Sequence, residues 1–142
     1  MTINQISVFL ENKVGQLAQV CRTLAENNIS LVTLALAETQ DFGIVRLIVN
    51  DTEKAETALR ANKFLVKTTP VVAVVVPDRP GGMAHVVTQL SEKGCDIEYS
   101  YAFAGRPNET AVLVFRFKNE AASLAALEAA GLATLDETML MR

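Results

Sequence analysis

The sequence predicts an α+β fold of two tandem βαββαβ copies, with antiparallel sheets and the helices on one face of each sheet. The first observation is an internal repeat, because a shift of 66 residues lays positions 5–37 over 71–103 and places Ile6, Leu10, Leu17, Cys21, Ile29 and Leu31 over apolar residues. The second is the alternation, in each copy, of short β-branched runs with apolar stripes of helical period. The third is the length: 142 residues alone suggest one domain, but the repeat divides them into two modules of about 70 residues each.

The repeat also sets the expected domain boundaries. Residues identical under the shift are Val8 and Val74, Gly15 and Gly81, Ala18 and Ala84, Val20 and Val86, Leu24 and Leu90, and Glu26 and Glu92. We therefore expect one domain at residues 1–69 and a second at residues 70–142. Each core alone is small, so we also expect the apolar excess to be covered by association, as a homodimer.

The elements of the first copy follow in order. Residues 5–10 are apolar and β-branched and lead into a polar stretch, which predicts a strand and a turn. The next helix carries its apolar stripe at i, i+3, i+4 and i+7 and ends at Asn28, which tolerates left-handed backbone. Two strands at 31–38 and 44–49 form a hairpin, a helix starts near Thr52, and a closing strand covers 64–67. The stripe consists of Leu17, Val20, Cys21 and Leu24.

The second copy repeats this order. Its first strand, Val71–Val76, precedes a helix that ends at Gly94. Strands follow at 97–104 and 111–117, then a helix from near Asn119 and a closing strand from Leu132. This order is ferredoxin-like, and right-handed crossovers place both helices on the same face. The helix stripe consists of Met83, Val86, Val87 and Leu90.

Composition and motifs exclude several function classes. A net charge of −3 without a basic stripe argues against nucleic acid as a partner. The apolar runs are far shorter than the roughly 20 residues of a membrane span. The amino terminus lacks a secretory pattern, so we expect a cytoplasmic protein. One histidine, His85, and two separated cysteines predict no metal site, and no catalytic or cofactor motif is present, so we expect neither an enzyme nor a cofactor.

The loop between the first strand and first helix of each copy is the most informative segment. A short amide or carboxylate residue, Asn12 or Asp78, stands three positions before a glycine. A helix amino terminus exposes unpaired N–H groups that can receive a carboxylate, and glycine lets a ligand come close. The alternative is that Asn12 and Asp78 only cap their helices, which is a common role for both residue types.

The strand, glycine loop and helix, occurring twice, resemble the opening of the ACT domain. The stretches are ISVFLENKVGQLAQVCRTLAENNISLVTL and VAVVVPDRPGGMAHVVTQLSEKGCDIEYSY, the second with an Asp-Arg-Pro-Gly loop. They are most similar to the ACT domains of acetolactate synthase regulatory subunits and of free-standing tandem ACT proteins. The resemblance implies a βαββαβ fold and an amino-acid ligand held at the interface between two ACT copies.

The resemblance also implies which residues hold the ligand. The loops would contact its α-carboxylate and α-amine, and a facing strand of the other copy would close the site. The loop residues are Asn12, Lys13, Val14, Gly15, Gln16 and Leu17 in the first copy, and Asp78, Arg79, Pro80, Gly81, Gly82 and Met83 in the second. The strand residues are Val32, Thr33 and Leu34, with Glu98, Tyr99, Ser100 and Tyr101 in the second copy.

The expected function is therefore an amino-acid-binding regulatory protein. The alternative is an interaction subunit of an amino-acid biosynthetic enzyme such as acetolactate synthase, with or without a ligand. His85 is interpreted as solvated or groove-lining rather than catalytic, because no motif places a nucleophile beside it. Ile97, Tyr99, Tyr101 and Phe103 are every second residue of one predicted strand, so we expect them to share one face of the sheet. That face is either a packed sheet surface or an aromatic wall for a ligand.

Overall fold

The computed structural model describes residues 1–11, 13–38, 41–106 and 108–140. They form two compact units, Asn4–Thr69 and Pro70–Leu140, the second of which also includes Met1–Ile3. We call them the amino-terminal and carboxy-terminal units. Across the described residues, no helix is long and apolar enough to cross a membrane.

The amino-terminal unit has the predicted element order. Its elements are β1 (Ile3–Glu11), α1 (Gln16–Glu26), β2 (Leu31–Glu38), β3 (Phe42–Val49) and α2 (Thr52–Ala61), followed by the first part of β4 (Leu65–Pro77). β3 lies between β1 and β2 and is antiparallel to both. α1 ends as expected, with Asn28 at a φ of 56°.

The carboxy-terminal unit repeats the pattern with a shorter closing strand. After β4 come α3 (Gly82–Glu92), β5 (Ile97–Ala104), β6 (Thr110–Phe117), α4 (Glu120–Ala129), β7 (Thr134–Leu135) and α5 (Glu137–Leu140). β6 lies between β4 and β5 and is antiparallel to both, and β7 pairs with β4. The prediction of two βαββαβ copies with antiparallel sheets is confirmed.

Two boundaries differ from the prediction. The closing strand of the first copy and the first strand of the second are one element, β4, which continues through Pro70. Proline there has no N–H to donate, and its carbonyl accepts a hydrogen bond from Arg116 Nη1 at 3.1 Å. The last closing strand covers only two residues, because Asp136 Oδ1 accepts from the N–H of Met139 at 3.0 Å and starts the short helix α5.

Each unit buries one face of its sheet under both of its helices, as predicted. In the amino-terminal unit, α1 and α2 contribute Val20, Leu24, Ala55 and Leu59 to a core with alternate residues of β1 and β3. In the carboxy-terminal unit, α3 and α4 contribute Val86, Leu90 and Leu127, which pack with Leu113, Phe115 and Phe117 of β6. Fully burying each of these larger side chains stabilises its unit by about 1.5–3 kcal/mol. Met83 departs from the predicted stripe, since it is 49% exposed.

The second helix of each unit is capped by a side chain. Asp51 Oδ1 accepts from the N–H of Lys54 at 3.2 Å, and Asn119 Oδ1 accepts from the N–H of Ala122 at 3.4 Å. We expect Asp51→Ala to lower the free energy of unfolding by about 1 kcal/mol, because the first turn of α2 loses this acceptor. Urea denaturation measures the change. Asp51→Asn retains an oxygen acceptor and serves as the control, so an equal loss in both variants would contradict the capping role.

Candidate functional site

The loop before α3 brings the backbone close to the end of β4. Gly81 is the residue that starts the helix, and its φ of 86° lies in the left-handed region, which glycine adopts without strain. Gly82 is buried, and a Cβ at this position would lie 2.4 Å from the carbonyl oxygen of Pro77. Around Gly81, by contrast, a Cβ would meet no atom within 4 Å. The loop is thus tight at Gly82 and open at Gly81.

The amino terminus of α3 has no side-chain cap. The alternative that Asp78 caps this helix is wrong, since the cap position is Gly81 and no described side chain accepts from its first turn. The backbone N–H of Asp78 instead donates to the carbonyl oxygen of Glu109 at 3.0 Å. α3 differs in this from α2 and α4, which have side-chain caps. The N–H of Gly82 donates to the carbonyl oxygen of Arg79 at 3.1 Å, whereas no described group accepts from the N–H groups of Met83 and Ala84, which leaves these two for an external anion.

A cavity of about 390 Å³ lies beside this loop, and we call it the α3 cavity. This volume falls within the roughly 300–1,000 Å³ of small-molecule sites. Among the lining residues that the structure describes, Arg79 is cationic, His85 can form hydrogen bonds, and none carries a carboxylate. The other lining residues are Val75, Val76, Pro77, Pro80, Gly81, Gly82, Val86 and Leu132.

His85 and Arg79 differ in their side-chain partners. His85 is exposed, and its Nε2 lies 2.9 Å from Gln89 Nε2 one turn along α3. Arg79 is exposed and forms no ion pair with any residue that the structure describes. Asp78 is likewise without an ion-pair partner among the described residues. The loop therefore presents one unpaired carboxylate and one unpaired guanidinium.

The corresponding loop before α1 shares the glycine conformation but not the chemistry. Gly15 has a φ of 90° and open space around its Cβ position. Lys13 pairs with Glu11, which raises the pKa of Lys13 through a hydrogen bond and charge attraction. Gln16 stands where the carboxy-terminal unit has Gly82, so this loop has a side chain at the tight position. Asn12 lies outside the described residues.

The remaining residues of the two predicted loops differ in how far they are buried and in what they contact. Val14 is fully exposed. Leu17 packs against the core of the amino-terminal unit, whereas Met83 at the matching position is exposed. Pro80 lines the α3 cavity. Of the predicted loop residues of the second copy, Arg79, Pro80, Gly81 and Gly82 therefore share one cavity, while neither Asp78 nor Met83 is among its lining residues.

The predicted strand residues lie at two matching irregularities. The pairing of β2 with β3 shifts between Leu31 and Thr33, and the pairing of β5 with β6 shifts between Ile97 and Tyr99. The predicted strand residues therefore include the shifted positions, Val32 and Glu98, and the residues that follow them. Leu34 packs against the helix-side core of its unit, and Glu98 lies 3.7 Å from the Arg116 guanidinium.

The irregularity in β5 shows that the prediction of one shared face for Ile97, Tyr99, Tyr101 and Phe103 is wrong. Ile97 pairs with Phe117 and packs in the helix-covered core, whereas Tyr99 pairs with Arg116. Residues paired across antiparallel strands share a face, and adjacent residues of β6 face opposite sides. Tyr99 and Tyr101 therefore lie on the face opposite to Ile97, because one extra residue in the strand reverses the alternation. Phe103 shares the face of the two tyrosines, whereas Ser100 lies on the helix side.

Sequence reasoning did not identify the apolar walls of the α3 cavity. Val75 and Leu132 are brought to the loop by β4 and by the segment after α4. The repeat offered a partial signal, since Leu132 aligns with Val66, a core residue of the first copy. The described residues contain no group of three or more His, Cys, Asp or Glu side chains that could hold a metal ion.

Comparison with known proteins identifies the family. The family model described as ACT domain pair matches residues 1–142. The crystal structure of protein BT0572 from Bacteroides thetaiotaomicron has 42% sequence identity and a TM-score of 0.93, with 99% of this chain and 96% of that chain covered. No curated protein matches the sequence.

More distant structures share the fold. The regulatory subunit of aspartate kinase from Thermus thermophilus, in its ligand-free form, has 17% identity and a TM-score of 0.61, with 89% of this chain and 91% of that chain covered. The corresponding subunit from Thermus flavus has 17% identity and a TM-score of 0.62 over the same shares. The match of the family model to the whole chain, together with the relative from Bacteroides, shows that this protein belongs to the ACT domain pair family.

Proposed function

We propose that this protein is a regulatory sensor that binds a free amino acid at the loop before α3. The observation that carries the proposal is the uncapped amino terminus of α3 beside a cavity of small-molecule size. Proteins of the ACT domain pair family are regulatory and bind amino acids, which supports this choice of ligand class. The chain then acts through binding and not as an enzyme.

The ligand's α-carboxylate is proposed to rest on the first turn of α3. The N–H groups of Met83 and Ala84, which have no described acceptor, and the positive end of the helix dipole favour an anion at this point. Gly81 leaves the approach open, since no atom lies within 4 Å of its Cβ position. Hydrogen bonds from N–H groups to a carboxylate are charge-assisted and about twice as strong as neutral ones.

The α-ammonium group is proposed to pair with Asp78. An ionised carboxylate can only accept, and this one has no cationic partner among the described residues. One loop would therefore meet both charges that all amino acids share.

Several expectations from the sequence stay predictions. They are ligand contacts by the strand residues Val32–Leu34 and Glu98–Tyr101 and by the first loop, the division into ACT domains at 1–69 and 70–142, a homodimer, and a cytoplasmic location.

A thermal unfolding series with each of the common amino acids tests the proposal. A ligand that binds only the folded protein stabilises it by about 2.7 kcal/mol at 100 times its dissociation constant, so the correct amino acid should raise Tm clearly. Isothermal titration calorimetry then gives its affinity and stoichiometry. The same series with the α-carboxylate converted to an amide is the control and should give no shift. An unchanged Tm with every amino acid at millimolar concentration would contradict the proposal.

A second candidate function is that of a regulatory subunit for an amino-acid biosynthetic enzyme. It is favoured by the shared fold with aspartate kinase regulatory subunits, of which this chain covers 91%. Affinity purification of the tagged chain from its own cells tests it. Recovery of one metabolic enzyme in fixed proportion, with or without added amino acid, would support this role, whereas recovery of the chain alone would contradict it.

A further inference from the structure

We infer that the α3 cavity selects an amino acid whose side chain carries a hydrogen-bond acceptor, a carboxylate above all. The inference rests on the proposed function and adds the class of ligand. The residues proposed to recognise the side chain are His85 and Arg79, which both line the cavity. The four observations that carry it are the position of His85 on α3, its contact with Gln89, the unpaired state of Arg79, and the absence of a carboxylate from the described lining.

His85 stands one helical turn from the proposed carboxylate position. Its backbone N–H donates to the carbonyl oxygen of Gly81 at 3.0 Å, which fixes it four residues after the loop glycine. In a helix the Cα–Cβ bond tilts toward the amino terminus, so this side chain leans toward the loop. A ligand anchored on the first turn of α3 thus extends its own side chain past His85.

Gln89 determines which ring nitrogen of His85 is available. Gln89 Nε2 lies 2.9 Å from His85 Nε2 and donates to the His85 carbonyl oxygen at 3.4 Å; in this orientation of the amide, Nε2 of the neutral ring accepts. The ring hydrogen is then on Nδ1, which is a donor. His85 thus offers Nδ1–H as a donor, so it favours an acceptor on the ligand.

The positive charge of Arg79 makes a ligand carboxylate a better acceptor at this site than a neutral group. It has no ion-pair partner among the described residues, whereas Lys13 at the matching position of the first loop is neutralised by Glu11. A ligand carboxylate would face the guanidinium and His85 without a competing carboxylate in the described lining. An aliphatic side chain would fit against the valines but would form no hydrogen bond or ion pair with either donor, so it would gain less on binding.

Calorimetric titration of the full chain with two sets of amino acids tests this inference. Aspartate, glutamate, asparagine, glutamine and histidine carry acceptors; alanine, valine, leucine and isoleucine do not. We expect the tightest binding among the first set. His85→Leu should weaken it by roughly tenfold, through loss of one donor, while His85→Gln, which keeps a donor, should weaken it less. Gln19→Leu, at the matching position of α1, is the control and should change nothing.

Arg79→Gln separates charge from hydrogen bonding. It should lower the affinity for aspartate and glutamate more than that for asparagine and glutamine, with Lys93→Gln, which removes an exposed cation at the other end of α3, as the control. Tightest binding of a branched aliphatic amino acid, or an unchanged ranking in His85→Leu and Arg79→Gln, would overturn the inference and leave the proposed function in place. Absence of binding by every amino acid would contradict the proposed function itself, and the inference with it.

Discussion

Replacing Gly81 by valine is expected to lower the affinity for the bound amino acid by roughly 100-fold, or about 2.7 kcal/mol. The Cβ position of Gly81 faces open space, so the valine side chain would occupy the room through which the carboxylate reaches the first turn of α3. Each hydrogen bond to a charged group contributes about 1.5–3 kcal/mol. Holding the carboxylate away from even one N–H therefore accounts for a loss of this size.

Gly94→Val separates this effect from backbone strain. Gly94 follows the other end of α3, with a φ of 70° and no atom within 4 Å of its Cβ position. Valine at a positive φ is strained at both glycines, by about 1–3 kcal/mol, so both variants should lose similar stability in urea denaturation. Calorimetry should show lost binding only for Gly81→Val. Unchanged affinity in that variant would contradict the assignment of the loop.

Gly15→Val reports whether the amino-terminal loop binds as well. If both loops bind, calorimetry of this variant should give half the stoichiometry of the unmodified protein. If only the carboxy-terminal loop binds, the variant should keep both affinity and stoichiometry. The unlike chemistry of the loops favours the second result, since Lys13 is paired with Glu11 and Gln16 replaces the glycine of the tight position.

Patterns that depend on neighbouring residues along the chain were predictable from the sequence. Asn28 and Gly94 end their helices in the left-handed conformation because few other residues adopt it cheaply. The apolar stripes of α1 and α3 placed Val20 and Val86 in the cores. The duplication strengthened these predictions, because each element had to satisfy its pattern twice.

Features that depend on cross-strand pairing or on competing local interactions were not predictable. The extra residue near Glu98 is defined by its register with β6, so the alternation alone predicted one face for Ile97 and the two tyrosines, which lie on opposite faces. Asp78 has a residue type common at helix starts, but Gly81 takes the cap position three residues later. The candidate site exists because of this second difference, since a side-chain cap would occupy the N–H groups that a ligand needs.

Gly82→Val is expected to destabilise the protein by about 3 kcal/mol, because overpacking at a tight contact forces the backbone to move. A Cβ at this position would lie 2.4 Å from the Pro77 carbonyl oxygen and 3.9 Å from Val76 Cβ. The φ of Gly82 lies outside the left-handed region, so contact and not strain causes the loss. The start of α3 would have to move away from β4, which weakens the packing of Val86 against the sheet.

Gln16→Val is the matched control, because the first unit already has a side chain at this position of α1. Its stability in urea denaturation should change by less than about 0.5 kcal/mol, as is usual for a substitution away from a packed contact. An equally small loss in Gly82→Val would show that α3 can move without cost. Since the proposed site needs the first turn of α3 held against the end of β4, that result would also remove the structural reason for glycine at position 82.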